Sequence, residues 1–144
     1  MSSTDCIFCA IVQGMAPASM VYADERVVAF MDMRPVNTGH LLVVPRVHVP
    51  GLAELDSETG GHIFQVGMKL ADAVRRSGVH CEGVNLYVAD GQAAGQQVLH
   101  VHLHVLPRFR DDGFGFRFSP DYFTLPERAT LDQVASRIRQ VLED

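Results

Sequence analysis

His100-Val101-His102-Leu103-His104-Val105-Leu106 is the stretch that decides how the rest of the chain is read. Side chains along an extended segment alternate between faces, so His100, His102 and His104 share one face, while Val101, Leu103 and Val105 enter the core. Polar residues at period two ordinarily mean a solvated face. Such a face draws on Thr, Lys or Glu, and three alternate histidines are better explained by chemistry than by solvation. On a straight strand His100 and His104 stand about 13 Å apart. Two imidazoles at bonds of about 2 Å cannot share one zinc ion across that gap. The three rings are therefore expected to divide their labour.

The loop Asp90-Gly91-Gln92-Ala93-Ala94-Gly95-Gln96 delivers the chain into this segment. Glycine lets backbone amides approach a ligand closely, and successive N–H groups can bind phosphate oxygens. Working outward, Val98–Leu106 reads as a strand ended by Pro107, and Val84–Ala89 as another. Leu41–Val44 is a buried strand stopped by Pro45. Val21–Ala23 and Val27–Asp32 form two strands around Asp24-Glu25. The segment Arg34-Pro35-Val36-Asn37-Thr38-Gly39 is a loop by composition.

A long helix starts near Asp56 or Ser57, with Ile63, Phe64, Val66, Gly67, Leu70, Ala71 and Val74 as its apolar stripe and Gly78 at its C-terminal cap. Residues 6–13 make a short first helix and residues 111–129 look irregular. A last helix begins at Thr130, with Gln133 completing a capping box and Leu131, Val134, Ala135, Ile138 and Leu142 facing inward. Only one long helix interrupts the strands. This predicts α+β: a mainly antiparallel five-stranded sheet with one long helix and a C-terminal helix.

The 144 residues fit one domain, 1–144, with residues 1–20 as an N-terminal segment and 109–144 as a C-terminal extension. A net charge of −5 argues against a nucleic-acid binder, which needs a basic surface, but leaves room for a small anionic ligand at a local site. No window approaches a membrane span or a signal peptide, so the chain reads as cytoplasmic with no membrane partner. The cysteines are Cys6, Cys9 and Cys81. An odd count with one close Cys-x-x-Cys pair favours metal or redox chemistry over a disulfide framework.

The run His100–Leu106 resembles the signature of the histidine triad superfamily. The similarity extends to Asp90-Gly91, Ala94-Gly95-Gln96, Pro107-Arg108, Phe30-Met31-Asp32-Met33-Arg34-Pro35 and Gly39-His40-Leu41-Leu42-Val43-Val44-Pro45. The opening Cys6-Ile7-Phe8-Cys9 resembles the bacterial Hint-like branch. Together these cover residues 6–108.

The resemblance implies a nucleotidyl hydrolase or transferase with a homodimeric build. In it His102 attacks the α-phosphorus of a purine nucleotide phosphoramidate or dinucleoside polyphosphate, an AMP or GMP conjugate, and a covalent nucleotidyl-histidine forms. The amides of Gln96 and Gln97, beside Gly95, and the ring of His104 match the phosphate donors. Asp32 matches a ribose-binding carboxylate beside Met33, and His40 a histidine that orders the triad. Cys6, Cys9, His48 and His100 match a structural zinc site, a closed Cys₂His₂ set.

Two departures stand out. In the Hint branch a serine follows the Gly-Gln pair and relays a proton to the leaving group. Here Gln97 takes its place, and an amide does not readily relay a proton. Ala89 replaces an Asn or Gln. They point to an unusual leaving group or slow turnover. A nucleotide-binding regulatory protein with little turnover is the alternative, and a zinc-binding structural module a third reading.

Overall fold

The computed structural model describes residues 5–142. Its elements run α1 (Ile7–Val12), β1 (Met20–Ala23), β2 (Val27–Met31), β3 (Leu41–Pro45), α2 (Ser57–Arg76), β4 (Gly83–Val88), β5 (Leu103–Arg108) and α3 (Arg128–Leu142). The chain divides into two compact units, one ending at Asp112 and the other beginning at Gly113. All five strands lie in the first unit, in one antiparallel sheet of order β1-β2-β3-β5-β4. The α+β class with a five-stranded antiparallel sheet follows the sequence pattern.

Both faces of the sheet are covered. Val27, Ala29, Leu41, Val43, Leu103 and Val105 pack against Ile63, Val66, Leu70, Ala71 and Val74 of α2. The alternate residues Val28, Phe30, Leu42 and Val44 pack against Cys6, Phe8 and Cys9 around α1. The side-chain period of two thus feeds two cores, and the histidines share the second face.

Helix α2 begins where Asp56 accepts a hydrogen bond from the Thr59 amide at 2.9 Å. It ends at Ser77, followed by Gly78 with φ +89°. Phe64, expected in its apolar stripe, is half exposed. A residue at the margin of an amphipathic stripe is not assigned to the core by spacing alone.

The largest difference from the expected pattern lies at the histidine segment. The ladder of β5 begins at Leu103 and not at Val98. The His100 amide turns back to the Val98 carbonyl at 2.9 Å, and the Val101 amide bonds the Val49 carbonyl at 2.9 Å, so residues 98–102 leave the sheet. Alternation reports which faces side chains take, not which backbone groups find a strand partner. At the other end β5 runs through Pro107 to Arg108. Register with β3 stops at Leu41↔Val105, so the missing N–H of Pro107 breaks no bond to β3. Pro45 sits at the end of β3 for the same reason, opposite Val27 but beyond the register with β5.

In the second unit, a 3-10 turn at Pro120–Phe123 punctuates the irregular stretch, and α3 starts at Arg128. None of the α3 residues is buried: of the inward stripe expected there, Leu131, Val134, Ile138 and Leu142 are exposed and Ala135 is half-buried. Periodicity shows that residues share a face, not that something covers it.

Gly67 sets the spacing between α2 and β5. A Cβ at this position would meet the Cδ2 of buried Leu103 at 2.4 Å. Alanine normally gains about 1 kcal/mol over glycine inside a helix. Here overpacking, at about 1–3 kcal/mol, outweighs that gain. Gly67→Ala is expected to lower unfolding stability by about 1 kcal/mol in urea titration. A stabilised variant would show that Leu103 yields freely.

Candidate active site and metal cluster

The protonation of the triad rings follows from their backbone partners. A carbonyl only accepts, so a ring nitrogen facing one carries the proton; an amide N–H only donates, so a ring nitrogen facing one does not. His102 places Nδ1 2.7 Å from the His100 carbonyl. Nδ1 is therefore the N–H, and Nε2 holds the free lone pair. His100 places Nε2 2.8 Å from the Pro45 carbonyl, which leaves the lone pair on Nδ1. His40 receives the Val36 amide at Nδ1, 3.1 Å, so its proton sits on Nε2. That proton is donated to Nδ1 of His104 at 2.9 Å, and His104 in turn carries its proton on Nε2.

Burial keeps these rings neutral. His40, His100 and His102 are buried, at 2%, 0% and 6% exposure, and His104 is half-buried. Burial pushes His102 below the ordinary imidazole range, while its hydrogen bond to the His100 carbonyl and the charge of Asp32 act the other way. Burial, then His102 and His40, push His104 down to about 4, with Asp32 opposing. His40 is lowered chiefly by burial, against the pull of Asp32. The site thus holds a neutral Nε2 acceptor on His102 beside a neutral Nε2–H donor on His104, with ring centroids 4.9 Å apart.

Asp32 follows β2. Its Oδ2 lies 3.6 Å from His40 Nε2 and its Oδ1 accepts from the Arg34 amide at 2.8 Å. Asp32, His40 and His104 have ligand atoms within 4.8 Å of one another, a spacing that a metal could also use. The Val36 amide rules against it. With Nδ1 of His40 already accepting, metal on Nε2 would require a doubly deprotonated ring, so this group is a proton-ordered relay. Met33, next to Asp32, is exposed at 89%.

The glycine loop is built from Gly91 and Gly95, at φ +97° and +93°, on either side of a 3-10 turn at Gln92–Ala94. Gly95 is needed for its left-handed backbone, since a Cβ there would meet nothing within 4 Å. Gln96 is a buried brace. Its Oε1 accepts from Gly91 N–H at 2.8 Å, and its Nε2 donates to the Pro50 and Val98 carbonyls at 2.7 and 3.0 Å. Its backbone amide donates to Gly91 at 3.2 Å, which spends the N–H expected to face a phosphate. Gln97 is exposed, and Ala89 is buried.

Cys6, Cys9, His48 and His100 come together from α1, the segment after β3, and the bend before β5, with donor atoms within 4.8 Å of one another. Nδ1 of His100 lies 3.4 and 3.6 Å from the two sulfurs, and Nδ1 of His48 lies 3.3 Å from Cys9. Ligands at the corners of a zinc tetrahedron stand roughly 3.5 Å apart, so the set fits such an ion. Pro45 orients the His100 ring as metal-bound histidines require. Burial and the adjoining Cys6 thiol push the Cys9 thiol up to about 11. A thiolate at Cys9 is stabilised by a cation held beside it.

Sequence reading did not single out several contributors. Val36 N–H orders His40. Asn37 ties its loop to the Pro107 carbonyl at 2.9 Å and to Asp112 at 2.8 Å. Phe8 presses edge-on to both His100 and His102, at 5.8 and 5.1 Å. Tyr87 stacks on His104. Only the strand register reveals that last pair. His62 and His80 lie elsewhere, His62 bonded to Asp24 at 2.6 Å and His80 stacked on Phe109. Cys81 is half-buried and donates to the Gly83 carbonyl at 3.2 Å.

Comparison with known proteins agrees with this geometry. The HIT domain matches residues 13–111. An uncharacterized HIT-like protein from Borreliella burgdorferi is 43% identical over 115 residues, 78% of this chain and 82% of that one. The adenylylsulfatase HINT3 of Arabidopsis thaliana is 32% identical over 108 residues, 75% of this chain and 54% of its own. Among solved structures, a Zn-bound histidine triad family protein from Mycobacterium smegmatis has 42% identity and a TM-score of 0.75, covering 94% of this chain and 99% of that one. On the strength of the matched domain, this relationship and the ordered triad of rings, the chain belongs to the histidine triad (HIT) family.

Proposed function

We propose that this chain is a nucleotidyl hydrolase that acts through a covalent nucleotidyl-histidine. The observation that carries the reading is the 2.7 Å hydrogen bond from His102 Nδ1–H to the His100 carbonyl, which leaves a neutral, buried Nε2 lone pair. That nitrogen attacks the α-phosphorus of a purine nucleoside 5′-phosphoramidate or dinucleoside polyphosphate. The Nε2–P bond forms as the P–N or P–O bond to the leaving group breaks, and the leaving group departs with a proton from solvent. The positive charge on the ring is shared through Nδ1–H with the His100 carbonyl. Water then attacks phosphorus, the Nε2–P bond breaks, and the nucleoside monophosphate is released.

Nε2–H of His104 and the amide of Gln97, following the turn at Gly95, serve as donors to the phosphate oxygens. Gln96 holds that turn in shape. Asp32 accepts from the ribose hydroxyls beside Met33, and His40 keeps the His104 proton on its outward nitrogen. An adenylylsulfatase among the relatives supports α-phosphate chemistry of this kind. A nucleotide-binding protein with little turnover is favoured by one feature, the exposed Gln97 amide in the position of a proton-relaying serine.

Cys6, Cys9, His48 and His100 would hold zinc in a structural role, supported by the Zn-bound relative. Bound there, the ion ties α1 to the bend that carries His102. Among the described residues no helix is long and apolar enough to cross a membrane. The open edge of β4 and the half-exposed Phe64 and Met68 on α2 support assembly as a homodimer.

His102→Ala is expected to lower turnover of adenosine 5′-phosphoramidate by at least about 10³-fold, and acid-sensitive adenylyl label should appear on the wild type alone. AMP binding without label or turnover would establish the binding-protein reading. Chelator-free preparations should carry one zinc per chain by elemental analysis, and Cys9→Ser should lose it together with several degrees of melting temperature. A metal-free wild type of unchanged stability would remove the zinc assignment. Sedimentation equilibrium should return a dimer; a monomer at all concentrations would refute that assembly.

A further inference from the structure

We propose that Tyr87 is a positioning residue for His104. In the register of β4 and β5, Tyr87 lies directly opposite His104. Its ring lies flat on the imidazole, with centroids 4.3 Å apart and planes 10° apart. His40 holds the same imidazole by a single hydrogen bond to Nδ1. One such bond fixes the tautomer and one atom but leaves the ring able to tilt about it. The third ring in contact, His102, meets His104 at 60° and offers no parallel surface. Tyr87 supplies the missing restraint: it fixes the imidazole plane, so that Nε2–H holds one direction.

The placement of Tyr87 separates this role from simple packing. The residue stands opposite His104 in the β4–β5 register, and a cross-strand aromatic pair adds only modestly to stability. A donor that must meet a developing oxyanion is far more sensitive to small misdirection than a fold is. Loss of the ring should therefore be felt in the chemical step. The inference rests on the reading of His104 as a phosphate donor.

The test compares zinc-loaded wild type with Tyr87→Phe and Tyr87→Leu. Leucine suits a strand and keeps much of the bulk but has no flat face. Tyr87→Leu is expected to lose roughly fivefold to tenfold in kcat on adenosine 5′-phosphoramidate, with KM nearly unchanged, while Tyr87→Phe retains the wild-type rate. Independently of turnover, NMR relaxation at the His104 ring should show it rigid in wild type and Tyr87→Phe and more mobile in Tyr87→Leu. Unchanged kcat in Tyr87→Leu overturns the proposal. So does a ring as rigid as in wild type, or an equal loss in Tyr87→Phe, which would assign the effect to the hydroxyl. A wild type that does not cleave the amide defeats the hydrolase reading instead, and the relaxation measurement still decides whether Tyr87 restrains His104.

Discussion

The arrangement depends on main-chain groups deciding where each imidazole keeps its proton. A neutral imidazole has one donor and one acceptor, and exchanging them turns a nucleophile into a bystander. Here the His100 carbonyl, the Pro45 carbonyl and the Val36 amide each fix one ring, and His40 passes its order to His104. Such partners cannot titrate, so the assignment holds wherever the backbone holds. His100 is the hinge of the scheme. Its carbonyl orders the ring that reaches phosphorus, while its own ring turns towards two thiols.

Burial makes this ordering chemically useful and also costly. Taking imidazoles out of water lowers their proton affinity, which keeps lone pairs available near neutral pH. It also forbids unsatisfied polar atoms, and among the described residues no buried side-chain nitrogen or oxygen lacks a partner. The second apolar layer, with Phe8 and Phe30, keeps these rings dry, so the short first helix contributes to electrostatics as well as to packing. Gly67 contributes from the opposite side by letting α2 approach the strand on which His104 stands.

Much of this was legible in the residues. The period of two places the three histidines on one face, and the distance argument separates His100 from His104, which lie in different clusters. The order of helices and strands along the chain, the α2 boundaries and the grouping of Cys6, Cys9, His48 and His100 also followed from pattern or resemblance. Other features were not legible because they depend on partners distant in sequence. The bend at residues 98–102 arises from a bond to Val49, which no local rule anticipates. The spent amide of Gln96 reflects the closure of its own loop onto Gly91. Tyr87 was invisible because contact across an edge depends on register, which hydrophobic alternation leaves free by steps of two.

The two-sided sheet has a consequence for how this segment can change over evolutionary time. Since α2 covers one side and α1 the other, inserting or deleting a single residue within β5 would turn His104 towards Ile63 and Val66 and turn Leu103 and Val105 out onto the histidine face. Loops whose backbone orders no imidazole tolerate altered length far more readily. Side chains along this strand can therefore be exchanged one at a time, whereas their spacing cannot change without turning both faces over at once.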